Sequence, residues 1–181
     1  MEAKEILVRS LNESWGYLTK AIDGLTQEEI SWAPVSHSNN IAFILWHVTR
    51  VEDIWINSVI RQSTGIYRTQ DWRERFGIPG RDMGFGYTEE QLQAWPVPKL
   101  ADLREYAQAV HENTVAFLET LTPEKLLEIP RADNPEETTG MILTHLITEI
   151  ALHVGQIDYL RGVHRGLDTL KGGDWAQASA G

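Results

Sequence analysis

The sequence predicts an all-α protein, a four-helix bundle interrupted by one long irregular excursion between its second and third helices. Four stretches carry apolar residues at every third or fourth position, the mark of amphipathic helices. A weak internal repeat divides them into two helix pairs. The size, 181 residues with 42% hydrophobic content, suits one substantial core.

The first helix follows Leu7, Leu11, Trp15, Leu18, Ile22 and Leu25, starting at Ile6 and ending near Gly24. The second begins after Ser38-Asn39-Asn40, any of which can cap it, and runs through Ile41, Ile44, His47, Val51 and Ile54 to about Ile60. The third follows Leu100, Leu103, Ala107, Val110, Thr114, Phe117 and Leu121. The fourth starts near Thr138 and continues through Ile142, Leu146, Glu149, His153 and Leu160, with Gly162 and Gly166 marking a fraying end.

Between Thr64 and Pro98 there is no sustained period, and glycines recur at 65, 77, 80, 84 and 86. This interval also holds Tyr67, Trp72, Phe76, Phe85, Tyr87 and Trp95, too much aromatic surface to leave solvated. It is expected to pack back on the bundle. One domain is expected over residues 1–170, with a mobile tail over 171–181 unless its isolated Trp175 docks.

The repeat sets Leu25-Thr26-Gln27-Glu28-Glu29-Ile30, followed by Pro34, against Leu121-Thr122-Pro123-Glu124-Lys125-Leu126, followed by Pro130. Each copy lies between two helices. Two helix pairs with comparable connections make a four-helix bundle.

A formal net charge of −10 argues against nucleic acid as a partner, because affinity for phosphate backbones needs clustered Lys and Arg. No run approaches the roughly 18 uninterrupted apolar residues of a membrane span, and the N-terminus lacks the order of a secretory signal. The expectation is a cytoplasmic protein without a membrane partner. With no cysteine, any metal here must use imidazole, carboxylate and water, and any thiol must come from a second molecule.

At ~100° per residue, Ile142, His145, Glu149, His153, Gln156 and Leu160 fall within about 40° of one line on the fourth helix. On the second helix, His47 lies amid Phe43, Ile44, Val51 and Ile54. Polar groups thus stand where core is expected, and burying them unpaired is costly. A divalent metal held by His47, Glu149 and His153 compensates them. Two imidazoles and one carboxylate with open coordination suit zinc, iron or nickel. The plainer alternative is a structural cluster in which both histidines hydrogen-bond Glu149.

His145, one turn before Glu149, could orient that carboxylate, pack beside the site or serve as a fourth ligand; Gln156 fits a supporting role or packing. Arg73, Arg75 and Arg81 could bind an anionic substrate or the carboxylates of a thiol cofactor, or only balance Asp71, Glu74 and Asp82. His37, His111 and His164 read as surface residues.

The segments Asn39-Asn40-Ile41-Ala42-Phe43-Ile44-Leu45-Trp46-His47-Val48 and His145-Leu146-Ile147-Thr148-Glu149-Ile150-Ala151-Leu152-His153-Val154-Gly155-Gln156-Ile157 resemble the DinB-like (DinB/YfiT-like) superfamily of metal-binding four-helix bundles. That superfamily includes mycothiol-dependent maleylpyruvate isomerases and bacillithiol S-transferases. The resemblance implies metal ligation by His47, Glu149 and His153. Many members have His at the position of Glu149, whereas the isomerase branch has Glu. Glu74 to Pro79 and Gly84 to Thr88 also resemble that branch.

The leading expectation is therefore a thiol-dependent transferase or isomerase, acting on a small-molecule substrate with a low-molecular-weight thiol such as mycothiol or bacillithiol at a divalent metal. A metal-dependent hydrolase is the alternative, weakened because no inward carboxylate beyond Glu149 is evident. A non-catalytic metal-binding protein is the third reading; a protein ligand closing the site, such as His145, would favour it. Leu45, Trp46 and Ile56 lie off the His47 stripe, with Trp55 at its edge, so either the excursion or a second subunit covers them. The resemblance favours a homodimer.

Overall fold

A computed structural model describes residues 2–166. The expected tail over 171–181, Trp175 included, lies outside the described residues. In chain order the helices are α1 (Ala3–Ala21), α2 (Gln27–Ser31), α3 (Ile41–Asp53), α4 (Ile66–Thr69), α5 (Trp72–Phe76), α6 (Glu89–Gln93), α7 (Leu100–Glu119), α8 (Pro123–Leu127) and α9 (Thr139–Arg165). A π-helical segment, Ile54–Ile60, extends α3. The described residues form no strand. The fold is an all-α bundle of four long helices: α1 packs along α9, and α3 packs along both α7 and α9.

The internal repeat proves to be a capping motif. The Thr26 hydroxyl accepts the Glu29 amide, the Thr122 hydroxyl accepts the Lys125 amide, and each opens a five-residue helix between two long ones. Of the three candidate caps for the second long helix, Asn40 does the work, its side chain accepting the Phe43 amide at 2.8 Å.

The excursion is held from inside. Asp53, fully buried at the end of α3, accepts the amides of Ile66 and Tyr67 at 2.8 and 2.9 Å, the Asn57 side chain, the Tyr106 hydroxyl and the Arg50 guanidinium. Arg50, also buried, donates onward to the carbonyls of Gly80 and Asp82. Hydrogen bonds thus compensate a pair that would otherwise be costly to bury. Gly65 is required here, since a Cβ would fall 2.7 Å from Asp53 Oδ1. Tyr67, Trp72 and Phe76 then pack around Tyr106 with ring centroids 5.4–5.7 Å away. Trp95 closes on Phe43 and Trp46.

This packing settles what covers the second long helix: Leu45, Trp46 and Ile56 are buried within the chain itself. Phe85 is the exception to the expected aromatic burial, 82% exposed.

Two other expectations are adjusted. Of the two glycines expected to mark the end of the last helix, Gly162 lies within it and Gly166 caps it, and Arg161 and Arg165 anchor that end. Arg161 donates to the carbonyls of Lys20, Ala21 and Asp23 at the end of α1, and Arg165 pairs with Glu29. His111 is buried rather than superficial, stacked on Trp15 with ring centroids 4.2 Å apart and facing buried Glu52 at 3.7 Å. His37 and His164 are exposed.

α9 is long and apolar enough to cross a membrane by length and composition, and 33% of its most apolar stretch is buried within the fold. Met141, Leu152, Tyr159 and Val163 lie exposed along it.

Candidate metal centre

α3 and α9 bring His47, Glu149 and His153 together, one donor atom from each lying within 4.8 Å of the other two. His47 Nε2 stands 3.7 Å from Glu149 Oε1, and the two imidazole rings are 4.8 Å apart. His47 is buried, while Glu149 and His153 are partly open to solvent.

Both imidazoles are oriented through Nδ1, which in His153 also stands 3.8 Å from Glu149 Oε1. His47 Nδ1 donates to the Met83 carbonyl, and His153 Nδ1 lies 2.8 Å from the Glu149 carbonyl. With Nδ1 holding the proton, each Nε2 keeps a lone pair. Burial pulls the His47 pKa down, with the neighbouring His153 adding to the effect, against the Met83 carbonyl and the Glu149 carboxylate that raise it. The neutral form that ligates a metal is therefore favoured.

This arrangement tests the fit of a cation. A neutral Nε2 and a carboxylate oxygen are both acceptors, so nothing of their own binds them across 3.7 Å. Donors on a tetrahedral ion at ~2.1 Å would stand roughly 3.4 Å apart, so His47 and Glu149 would close slightly from 3.7 Å while the cluster as a whole would close from a spread of up to 4.8 Å. The donor set fits a divalent transition metal.

The fourth-helix projection was displaced. Ile142 and Leu160 at the ends of the polar line are buried as expected, but together with Thr139, Leu143, Leu146, Ile150, Val154 and Ile157 the buried face centres roughly 75° around from that line. His153 and Glu149 consequently sit at the rim of the core, and His145 and Gln156 fall beyond it, both exposed. His145 packs against Trp55 at 4.8 Å and does not join the cluster. Gln156 lines an apolar groove with Ile44, Leu152 and Tyr159 next to the centre. Phe85, between Gly84 and Gly86 with φ of +79° and +68°, holds its ring 6.5 Å from that of His47.

Of the three excursion arginines, Arg75 is committed elsewhere, bound to Asp102 and Glu105 of α7 and stacked on Trp72. Arg73 and Arg81 are exposed, and no ion pair engages them among the described residues. The balance expected from Asp71, Glu74 and Asp82 does not form as ion pairs: Asp82 accepts from Gly84 N and the Tyr87 hydroxyl. Inward carboxylates beyond Glu149 do exist, in Glu52 and Asp53, yet neither joins the cluster. Sequence reasoning missed the Met83 carbonyl, Arg50 and Asp53. Three charges at positions 50, 52 and 53 in a largely apolar helix were the available signal for the latter two.

A helical bundle with two imidazoles and a carboxylate at the junction of two long helices defines the class: a DinB-like fold with a candidate metal centre. Within that class, the mycothiol-S-transferase family model matches residues 6–166, and the chain belongs to that family. A conserved protein from Enterococcus faecalis has a similar crystal structure, with a TM-score of 0.79 and 22% identity over 90% of this chain and 97% of that one. At that identity the likeness concerns the fold. No curated protein sequence matches the chain.

Proposed function

We propose that this protein is a metal-dependent enzyme that uses a low-molecular-weight thiol, with His47, Glu149 and His153 holding one zinc, nickel or iron ion. The observation that carries the reading is the position of the three donors at the rim of the core, where no fourth protein ligand joins them among the described residues. A site built for structure alone would be closed by protein, and His145, the candidate to close it, faces away beside Trp55. A bound divalent ion would lower the pKa of a coordinating thiol and supply thiolate at neutral pH.

The protein's own residues contribute orientation and charge. Met83 fixes the ring of His47, the α9 backbone fixes that of His153, and Glu149 supplies negative charge between them. The exposed ring of Phe85, 6.5 Å from that of His47, offers surface to a small acceptor molecule. Family membership supports mycothiol as the thiol, with bacillithiol second. The reading places the protein in the cytoplasm, without a nucleic-acid or membrane partner, and as a homodimer through the exposed apolar face of α9.

Cobalt substitution tests it. Mycothiol, bacillithiol, glutathione and cysteine are titrated into the cobalt protein, where coordination through sulfur adds a charge-transfer band and releases a proton. The chain has no cysteine, so any such band belongs to the added thiol. A silent spectrum with all four at millimolar concentration sinks the thiol reading. Metal-dependent ester or amide turnover without thiol would then support a hydrolase, and neither activity a structural site.

A further inference from the structure

Beside the metal centre, sharing Met83 with its surroundings, lies a cavity of about 320 Å³ lined among others by Arg50, Arg68, Tyr67, Ser58 and Arg81. Its rim is unusually cationic for an acidic protein. Between Lys20 and Lys99 every basic residue is arginine, the side chain suited to bidentate contacts with carboxylate and phosphate. Arg75 and Arg50 are ion-paired, and Arg61 is held by Asn57 and Asn113. Arg68, Arg73 and Arg81 have no carboxylate partner among the described residues.

The side chains of Arg68 and Arg73 meet at Gly80, and Arg81 lines the same cavity as Gly80 and Arg68. A Cβ built at Gly80 would lie 3.6 Å from Arg73 Cδ and 3.8 Å from Arg68 Cγ, and Arg81 follows in sequence. At the cavity wall Arg50 is 2% exposed and spends four N–H groups, on Asp82 O, Asp53, the Tyr106 hydroxyl and Gly80 O. A guanidinium carries five, so one hydrogen on Nη2 is left without an acceptor among the described residues. The one carboxylate in the lining, Asp53, is already engaged by five donors and by the charge of Arg50. Unpaired like charges gathered around a buried, incompletely satisfied guanidinium call for an anion.

We infer that this cavity is a binding site for a small oxyanion of two or more negative charges, a phosphate or a dicarboxylate, held by Arg68 and Arg81 with Arg50 at its floor and Arg73 at its edge. The site is separate from the three metal donors and does not depend on the thiol reading. Gly80 and Met83 belong to both its lining and the segment that holds His47, so an occupied site would also steady that segment.

The test is calorimetric titration of the full-length protein with inorganic phosphate and, separately, malonate, each against chloride at matched ionic strength. Saturable binding is expected for at least one anion, weakened at least tenfold in an Arg68→Gln/Arg81→Gln variant and unchanged in Arg75→Gln. Both substituted arginines of the double variant are exposed, and its melting temperature reports whether it remains folded. Phosphate binding alone identifies a phosphorylated ligand and malonate binding alone a carboxylated one. No saturable binding of either, or equal binding by a folded double variant, overturns the site. None of these measurements requires metal, so the metal centre and the anion site stand or fall separately.

Discussion

His47 on α3 donates its Nδ1 hydrogen to the carbonyl of Met83, 36 residues further along the chain, and this bond ties the excursion to the candidate metal centre. The segment from Gly80 to Tyr87 is thereby part of the site although it supplies none of the three donor side chains. Arg50 grips the same segment at Gly80 and Asp82, and Tyr87 closes it by donating to Asp82.

Metal content gives the most direct check on the donors. Purified protein is expected to hold close to one divalent ion per chain by elemental analysis. His47→Ala or His153→Ala should weaken that affinity by about 100-fold or more, since each removes one of three ligands. Undiminished binding by both variants would show that the donors lie elsewhere.

Gly84 offers a test of the loop's role. Its φ is +79°, and a Cβ would fall 2.7 Å from Phe43 Cζ and 2.9 Å from Trp46 Cζ3, in rings locked within the core. Gly84→Ala should cost about 2 kcal/mol or more in denaturant unfolding and reduce metal affinity through the displaced Met83 carbonyl. Unaltered stability would mean that the loop can move aside without penalty.

Asp53→Ala should be among the most damaging single changes in the chain. It leaves Arg50 buried without its carboxylate and strips the Ile66 and Tyr67 amides of their acceptor. A loss of about 3–5 kcal/mol is expected, with proteolysis appearing first in residues 64–98. Cleavage starting elsewhere would argue that Asp53 does not anchor the excursion.

The Glu29–Arg165 contact predicts a pH dependence. The Arg165 guanidinium lowers the Glu29 carboxyl from 4.5 to about 2. Because the folded value is the lower one, its contribution is present above pH 4.5 and lost as the pH falls toward 2. Glu29→Gln should therefore cost about 1 kcal/mol at pH 7, a modest figure because the pair is near the surface, with the gap already narrower at pH 3.5. A constant gap across that range would assign the effect to capping geometry instead of charge.

Self-association is expected through α9. Leu152→Glu with Tyr159→Glu should convert a dimer to a monomer in light scattering at tens of micromolar. A wild-type monomer under the same conditions removes the dimer.

Legibility in the sequence followed locality. The four long helices could be read because their apolar periods and caps, such as Asn40 and Thr138, are local signals. His47 and His153 were found as polar residues on apolar helices. The face of α9 was misplaced because a line drawn through Ile142 and Leu160 ignored the wider apolar arc centred near Leu146 and Ile157. The excursion's organisation was hidden for a different reason: it depends on Asp53, Arg50 and Tyr106, whose meeting is a product of tertiary folding. The Met83 carbonyl could not be foreseen at all, since a backbone group leaves no residue-type signature.

The packing of α1 against α9 carries a consequence for how the protein is made. His47 emerges during synthesis more than a hundred residues before Glu149 and His153, a wait of roughly 5 to 20 s at ordinary elongation rates. Through that interval α1 has no α9 to rest on, and the centre has one donor of three. An ion can be captured tightly only once α9 has been made, so metallation would coincide with the docking of α9 on α1 and α3 and mark a chain whose three donors have come together.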